Sequence, residues 1–254
     1  MTKKLSVFII GAILFLTSLP TSTELVMEFI HTRKMSEQYE IVDVREIEET
    51  PDSYQPPDSI FNFNGRLIEI KETIKESKSY IDPWGNQIKS ADLSLELDGK
   101  VLANLKNHPI RVDDIGLNRY YGEVAYITLY DRKNNKNQFI ILLKKTKETI
   151  REMPNGDLVG WVPEEKLNYL LYAIDEEGNV ESDSFSFTER DALQTELLNA
   201  GGVVPYYIGF YTNDLKAYPT IFFPLIFPFL TFIIGLILTI VYFPMRKNIK
   251  RQSM

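Results

Sequence analysis

Between Lys216 and Arg246 the chain carries no charged side chain. A helix rises about 1.5 Å per residue, so a hydrocarbon core about 30 Å thick needs about 20 apolar residues. The run from Pro219 to Phe243 exceeds that length, and it lacks the polar face of a helix packed on a soluble core. The spacing therefore predicts a transmembrane helix over Ala217–Met245. Tyr218 and Tyr242 stand near its two ends, at the level where amphipathic rings favour headgroups. Arg246, Lys247, Lys250 and Arg251 come directly after it, and such clusters stay on the cytoplasmic side. The expectation is a short basic tail inside, 246–254, with the bulk of the chain outside. Pro224 and Pro228 remove backbone donors, so the helix is expected either to start late or to kink where a second helix packs. Gly235 and Thr239 are four apart and Thr231 is one turn earlier. These three share a face on which another helix can approach closely.

A second apolar run lies at the other end. Residues 1–23 open with Lys3 and Lys4 and continue apolar from Leu5 to Leu19. A basic flank, an apolar run and small polar residues match a signal peptide, but the small-x-small cleavage pattern is missing. The charge-free length from Leu5 to Thr23 nearly spans a membrane, which favours an uncleaved signal anchor. One or two transmembrane helices result, and either count places the residues after Thr23 outside. The helix partner for Thr231, Gly235 and Thr239 is then Leu5–Leu19 or a helix of another protein.

Net charge is −7, from 28 basic and 35 acidic residues. Setting aside the six basic residues of the two tails leaves about −13 on Glu24–Lys216. Phosphates attract Lys and Arg, so this acidic stretch argues against nucleic acid as a partner. The chain has no cysteine and two histidines. Disulfides and thiolate metal sites are excluded, and a zinc site with a separate base is not available.

Residues 24–59 read as a juxtamembrane segment. Glu24–Gln38 permits a helix, with His31 expected to be an ordinary exposed side chain. Tyr39–Ile47 alternates like a strand with one wet face. Thr50–Ser59 holds Pro51, Pro56 and Pro57 and reads as a linker. From residue 60 to 188 short strand patterns succeed one another. Asn64-Gly65 and Asp98-Gly99 mark tight hairpins. Leu93, Leu95 and Leu97 share one face, and Ala125, Ile127 and Leu129 alternate with Tyr126, Thr128 and Tyr130. His108, before Pro109 and near Asp113, has a loop composition. Residues 189–216 are expected to hold a short helix over Glu189–Asn199, ended by Gly201-Gly202, and then a tyrosine-rich juxtamembrane segment.

Trp161 to Phe187 is the most informative stretch outside the apolar runs. It contains Leu167-x-Tyr169, then Ala173-x-Asp175, then Gly178-Asn179 and a closing strand. This resembles the final hairpin of immunoglobulin-like and fibronectin-III-like domains of bacterial surface proteins, over about 30 residues. The resemblance implies a mainly β fold: an extracytoplasmic Ig-like β-sandwich over 60–188. It also implies structural roles for Trp161 and Leu167, and a tyrosine corner in which the Tyr169 hydroxyl bonds upstream backbone.

No Gly-rich phosphate loop, His-Glu-x-x-His pattern or Gly-x-Ser-x-Gly elbow occurs. No catalytic residue, metal ligand or cofactor is expected. The reading is a membrane-anchored module of the cell envelope that binds another membrane or envelope protein. The alternatives are a carboxylate-based envelope hydrolase and a sensor or transport accessory subunit. Protease added outside intact cells is expected to digest Glu24–Lys216 and to spare a tag at Met254. Cleavage of that tag from outside would overturn the orientation.

Overall fold

The computed structural model describes residues 3–47, 59–76, 79–81, 85–147, 149–152, 158–204, 206–213 and 222–252. The Thr50–Ser59 linker, apart from Ser59, and the Asp82-Pro83-Trp84 turn lie outside them, as do Tyr218 and Pro219. The chain divides into two compact units, one of 1–34 with 207–254 and the other of 35–206. It is a mixed helix and strand structure with two five-stranded sheets, a two-stranded ribbon, and two helices long and apolar enough to cross a membrane.

A single helix, α1 (Lys3–Gln38), belongs to the first unit as far as Lys34. The helix runs without interruption through Pro20 and the polar Thr21-Ser22-Thr23 segment into the stretch from Glu24 to Gln38. Its buried residues Gly11, Ser18, Ser22, Leu25 and Glu28 recur at three, four and seven, which is one helical face. The other long helix, α4, covers Thr231–Gln252. It starts late. Leu225–Leu230 forms a wide irregular turn in which Phe227 is extended (φ −116, ψ 128) and Pro228 is buried. Proline cannot supply the N–H that a regular helix would need there.

The second unit carries the strands. After β1 (Tyr39–Asp43) comes a single helical turn, α2 (Val44–Ile47), so the expected strand over Tyr39–Ile47 ends four residues early. Asp43 explains the stop: its buried carboxylate accepts from Arg45 N at 2.7 Å and Arg45 Nε at 2.9 Å, folding the chain back on itself. One sheet is then built in chain order: β2 (Ile60–Phe63), β3 (Arg66–Ile74), β4 (Tyr80–Ile81), β5 (Gln87–Leu97) and β6 (Lys100–Arg111), all antiparallel. Its hairpins turn at Asn64-Gly65 and Asp98-Gly99, with positive φ at all four residues. Asp98 Oδ1 also accepts from Leu67 N at 2.9 Å. That bond first, and Arg66 after it, hold the Asp98 carboxyl below the usual range.

The other sheet has the order β1, β7 (Val124–Asp131), β8 (Lys136–Lys144), β11 (Asn168–Asp175), β12 (Val180–Ser186). Between its members β9 (Thr149–Glu152) and β10 (Leu158–Trp161) form the separate ribbon. Asp175 closes the β11–β12 turn by accepting from Asn179 N at 2.8 Å, with Gly178 at φ +85.

The two sheets share one core. Ile68, Ile70, Leu93, Leu95 and Leu97 from the first join Val124, Tyr126, Phe139, Ile141 and Leu143 from the second. Phe139 is its centre: Phe61 stacks on it at 4.8 Å, and Phe63 and Tyr126 lie at 5.6 and 5.4 Å. The alternating face Ala125, Ile127 and Leu129 is also buried, as are Ile140 and Leu142. Strand β7 is therefore buried on both faces from Val124 to Ile127, while Thr128 and Tyr130 are half-buried. The reason is α3 (Ala192–Ala200), opened by an Asp191–Gln194 capping box, with Leu197 and Leu198 buried. The chain just after it reaches the same face of the sheet. A Cβ on Gly201 would stand 2.5 Å from Ala125 Cβ and 3.3 Å from Ile127 Cδ1. Gly202, not Gly201, takes the left-handed conformation (φ +59).

Phe139→Ala is expected to cost about 3–5 kcal/mol of unfolding free energy, the usual range for a buried aromatic. Denaturant unfolding of the full chain in detergent, read by tryptophan fluorescence, checks this; a cost below about 1 kcal/mol would displace Phe139 from the core.

Candidate functional site

Glu72 accepts from Arg119 Nη2 at 2.7 Å and from the Tyr120 hydroxyl at 2.9 Å, and three other places in the described residues bring chemistry-bearing side chains together. The first is the contact of α1 with α4. Gly235 is buried, and a Cβ there would stand 2.5 Å from Phe15 N and 2.8 Å from Gly11 O. A Cβ on Gly11 would stand 2.7 Å from Leu238 Cβ and 3.2 Å from Gly235 O. Real Cβ atoms do not come so close, so each glycine is required by the other helix. One turn away Ser18 Oγ and Thr231 Oγ1 lie 2.9 Å apart, a hydrogen bond in which either hydroxyl can donate. Rings close the pair on either side of the glycines, Phe15 on Phe232 at 5.1 Å and Phe8 on Tyr242 at 4.5 Å. Of the residues singled out in the sequence, Gly235 makes the close approach and Thr231 makes the bond between helices. Thr239 differs: its hydroxyl donates to Gly235 O of its own helix at 2.8 Å.

The second place is Glu28, 1% exposed on the same face of α1. Its carboxylate accepts from three successive backbone amides, Phe210 N at 3.1 Å, Tyr211 N at 2.6 Å and Thr212 N at 3.3 Å. Bonds from N–H groups to a carboxylate are the stronger, charge-assisted kind. Gly209 lets the loop turn this tightly, since a Cβ there would fall 1.9 Å from Thr212 O. His31, one turn on, is not the exposed side chain expected. Its ring stacks on Phe210 at 4.6 Å and meets Tyr211 edge-on at 5.8 Å.

The third place is in the β-rich unit. His108, Glu123 and Lys144 are 2%, 8% and 7% exposed. Lys144 Nζ donates to Glu123 Oε1 at 3.0 Å, and His108 Nε2 lies 3.1 Å from Glu123 Oε2. Three strands create the cluster. Glu123 precedes β7, and Lys144 N, at the end of β8, donates to Glu123 O at 2.8 Å. His108 comes from within β6, opposite Ala91, not from a loop. Pro109 is tolerated beside it because β6 lies on the side of β5 away from β3 and β4 and forms an edge there. Across the sheet Tyr169 pairs with Lys144 in register.

Tyr169 is fully buried and packs on Phe185 at 5.4 Å. Its hydroxyl has no hydrogen-bond partner among the described residues, so the expected tyrosine-corner bond is not made. Burial pushes the phenol above its ordinary range, with Glu123 adding to the shift. Leu167 is buried at 4%, and its carbonyl accepts from Phe187 N at 2.9 Å. The Trp161 backbone ends β10, and its side chain lies outside the described residues.

A Lys, Glu and His within 3.1 Å can exchange a proton in principle. A reacting group would also need access, and these side chains are sealed. Two open hollows lie elsewhere on the unit. One, of about 410 Å³, is lined by Val42, Phe61, Phe63, Thr128 and Tyr130, with Glu40 as its one carboxylate. The other, of about 390 Å³, is lined by Thr146, Asn168, Tyr169, Phe185 and Ser186, with Glu189 as its one carboxylate. Among the described residues no group of three or more Asp, Glu or His is placed to hold a metal ion. No family model, curated protein or solved structure matches the chain.

Sequence reasoning missed Ser18, Glu28 and the His108–Glu123–Lys144 cluster. The first two carry a signal, the seven- and ten-residue steps from Gly11 and Ser18 along one face of α1. The cluster carries none, because its members are brought together only by strand order.

Two substitutions separate the roles of neighbouring polar groups. Lys144→Met leaves Glu123 buried without its cation and is expected to cost about 3–5 kcal/mol. Tyr169→Phe removes a hydroxyl that has no hydrogen-bond partner among the described residues and is expected to cost under about 0.5 kcal/mol or to stabilise. Paired denaturant melts of the full chain check both. A loss of about 1–3 kcal/mol for Tyr169→Phe would restore the corner bond.

Proposed function

We propose that the chain is a membrane-anchored, extracytoplasmic binding module. Its α1–α4 pair spans the membrane, and its two sheets form a β-sandwich that engages another membrane or envelope protein without catalysing a reaction. The observation that carries this reading is the α1–α4 contact. A tether needs only apolar length, yet here Gly11, Gly235, Ser18 and Thr231 are spent on fixing one helix against another. In lipid, close backbone approach and hydroxyl bonds hold helices together, since apolar burial gives them no advantage over lipid tails.

The basic residues after Met245 and at Lys3-Lys4 favour both ends of the chain in the cytoplasm, which puts residues 35–206 outside. The sandwich reading rests on the core common to the two sheets. An immunoglobulin-type order would draw strands from early and late in the chain into both sheets. Here β2–β6 make one sheet, and β7, β8, β11 and β12 with β1 make the other. The resemblance is therefore carried by the β11–β12 hairpin alone.

Binding is favoured over the carboxylate-based hydrolase by the hollows. Glycoside hydrolysis of the usual kind needs two carboxyl groups facing across a cleft, and among the described residues each hollow offers one. A mild-detergent pull-down with the full chain, tagged at Met254, is expected to retain a specific membrane or envelope protein. That protein should be lost on digestion of the external residues. Turnover of a wall polymer by the purified chain, abolished by Glu40→Gln or Glu189→Gln, would replace this reading with the hydrolase.

A further inference from the structure

The charge-free part of α1 ends at Thr23, yet its apolar surface does not. Leu5 to Thr23 covers about 28 Å at 1.5 Å per residue, close to one hydrocarbon thickness. Glu24 is exposed and marks the end of that stretch. Beyond it Phe29 is 63% and Ile30 46% exposed, on a helix that already carries charge. The loop clamped by Glu28 adds Tyr207 and Tyr211, 51% and 43% exposed. Arg33 and Lys34 come next along the helix, both exposed. In order along α1 the surface therefore runs from apolar, to mixed aromatic and apolar around Glu28, to basic.

This order has the layering of a membrane interface. The headgroup zone adds roughly 5–7.5 Å beyond the hydrocarbon on each side, which is about three to five helical residues. With Glu24 at its inner edge, Glu28 lies near its outer edge, and the side chains of Phe29 and Ile30, which lean toward the helix N-terminus, reach back into it. Amphipathic rings concentrate in that zone, with a hydroxyl toward water and a ring toward the acyl chains. Basic side chains one turn farther out meet lipid phosphates. The opposite end of the span has its own ring pair, Phe8 on Tyr242.

We propose that Phe29, Ile30, Tyr207 and Tyr211 form a collar seated in the outer phospholipid headgroup layer, with Arg33 and Lys34 facing its phosphates. Glu28 is the positioning residue. Its three amide bonds hold the 207–213 loop against α1, so that both tyrosines stay at one depth. The stacking of His31 on Phe210 braces the same loop from one turn above. The collar rests on the membrane-spanning reading and is separable from it.

The chain has no cysteine, so a spin label can be placed at one chosen position. The full chain is reconstituted into vesicles of phosphatidylcholine and phosphatidylglycerol. Labels go at Tyr211→Cys and Phe29→Cys in the collar, Ile10→Cys in the apolar part of α1, and Thr73→Cys on an exposed strand. Depth is read from relaxation by oxygen against a water-soluble nickel chelate. The expected result is hydrocarbon depth at 10, headgroup depth at 29 and 211, and full aqueous exposure at 73. Aqueous exposure at 29 and 211 with 10 still in hydrocarbon would overturn the collar and leave the span intact. Aqueous exposure at 10 would overturn the span and the collar with it. Insensitivity of 29 and 211 to both reagents would mean that a protein partner covers them, and would also overturn the proposal. Glu28→Gln, added to the 211 label, is expected to raise label mobility and chelate access several-fold while position 10 stays unchanged. No change at 211 would remove Glu28 from its positioning role.

Discussion

Two helix backbones touch only where no side chain stands between them. Gly11 and Gly235 meet that condition against each other, and the first unit depends on it. Separating the helices by one methyl group at either glycine would pull Ser18 from Thr231 and part the rings at Phe15 and Phe232. The contact is also short-ranged by nature. Dispersion between two atoms is worth about 0.1–0.2 kcal/mol and fades within an ångström of the optimum, so the energy lies in many contacts made together. The Ser18–Thr231 bond adds direction, since two hydroxyls at 2.9 Å fix how the helices are rotated. Glu28 does the same by charge, drawing three amides of the 207–213 loop onto one carboxylate.

The β-rich unit is held differently. Its central strands β7 and β8 are buried on both faces, one toward the other sheet and one toward α3 and the chain after it. Apolar burial is worth about 25 cal/mol per Å², so a strand covered twice contributes on each face. The charged groups within this environment are matched in part: Glu123 Oε1 has Lys144, while Oε2 lies 3.1 Å from His108 Nε2 without a hydrogen bond. A buried pair of this kind adds little net stability, but losing one partner is expensive. The cluster therefore ties β6, β7 and β8 in one register without needing a chemical task.

Much of the second unit was legible because hairpin signals are local. Asn64-Gly65, Asp98-Gly99 and Gly178-Asn179 stand where the chain turns, and Leu93, Leu95 and Leu97 are buried together as a two-residue period requires. What failed depends on tertiary cover. Alternation at Ala125–Tyr130 marks a strand, but it does not say what covers the face of Ala125 and Ile127, which the chain at Gly201, some seventy residues later, reaches. The continuous Phe139-Ile140-Ile141-Leu142-Leu143 run is the better signal, since a strand buried on both faces has no reason to alternate. Similarly, Leu167-x-Tyr169 suggests a hydroxyl bond, but nothing local says whether an upstream carbonyl will be in reach. In the first unit, apolar length made both long helices readable and the face of Thr231 and Gly235 apparent. On α1 the seven-residue step from Gly11 to Ser18 keeps to one face, but only the facing helix shows that the two form one surface.

The central claim is that α1 and α4 pack through Gly11, Gly235, Ser18 and Thr231 within a membrane. Paired cysteines in the cysteine-free chain test it most directly, with oxidation carried out in native membranes. Packing of this kind predicts rapid, near-complete disulfide formation within single chains for Ser18→Cys with Thr231→Cys. It predicts almost none for Leu16→Cys with Ile237→Cys, whose side chains are 63% and 52% exposed on outward faces. Equal yields for the two pairs, or bonding only between separate chains, would contradict it.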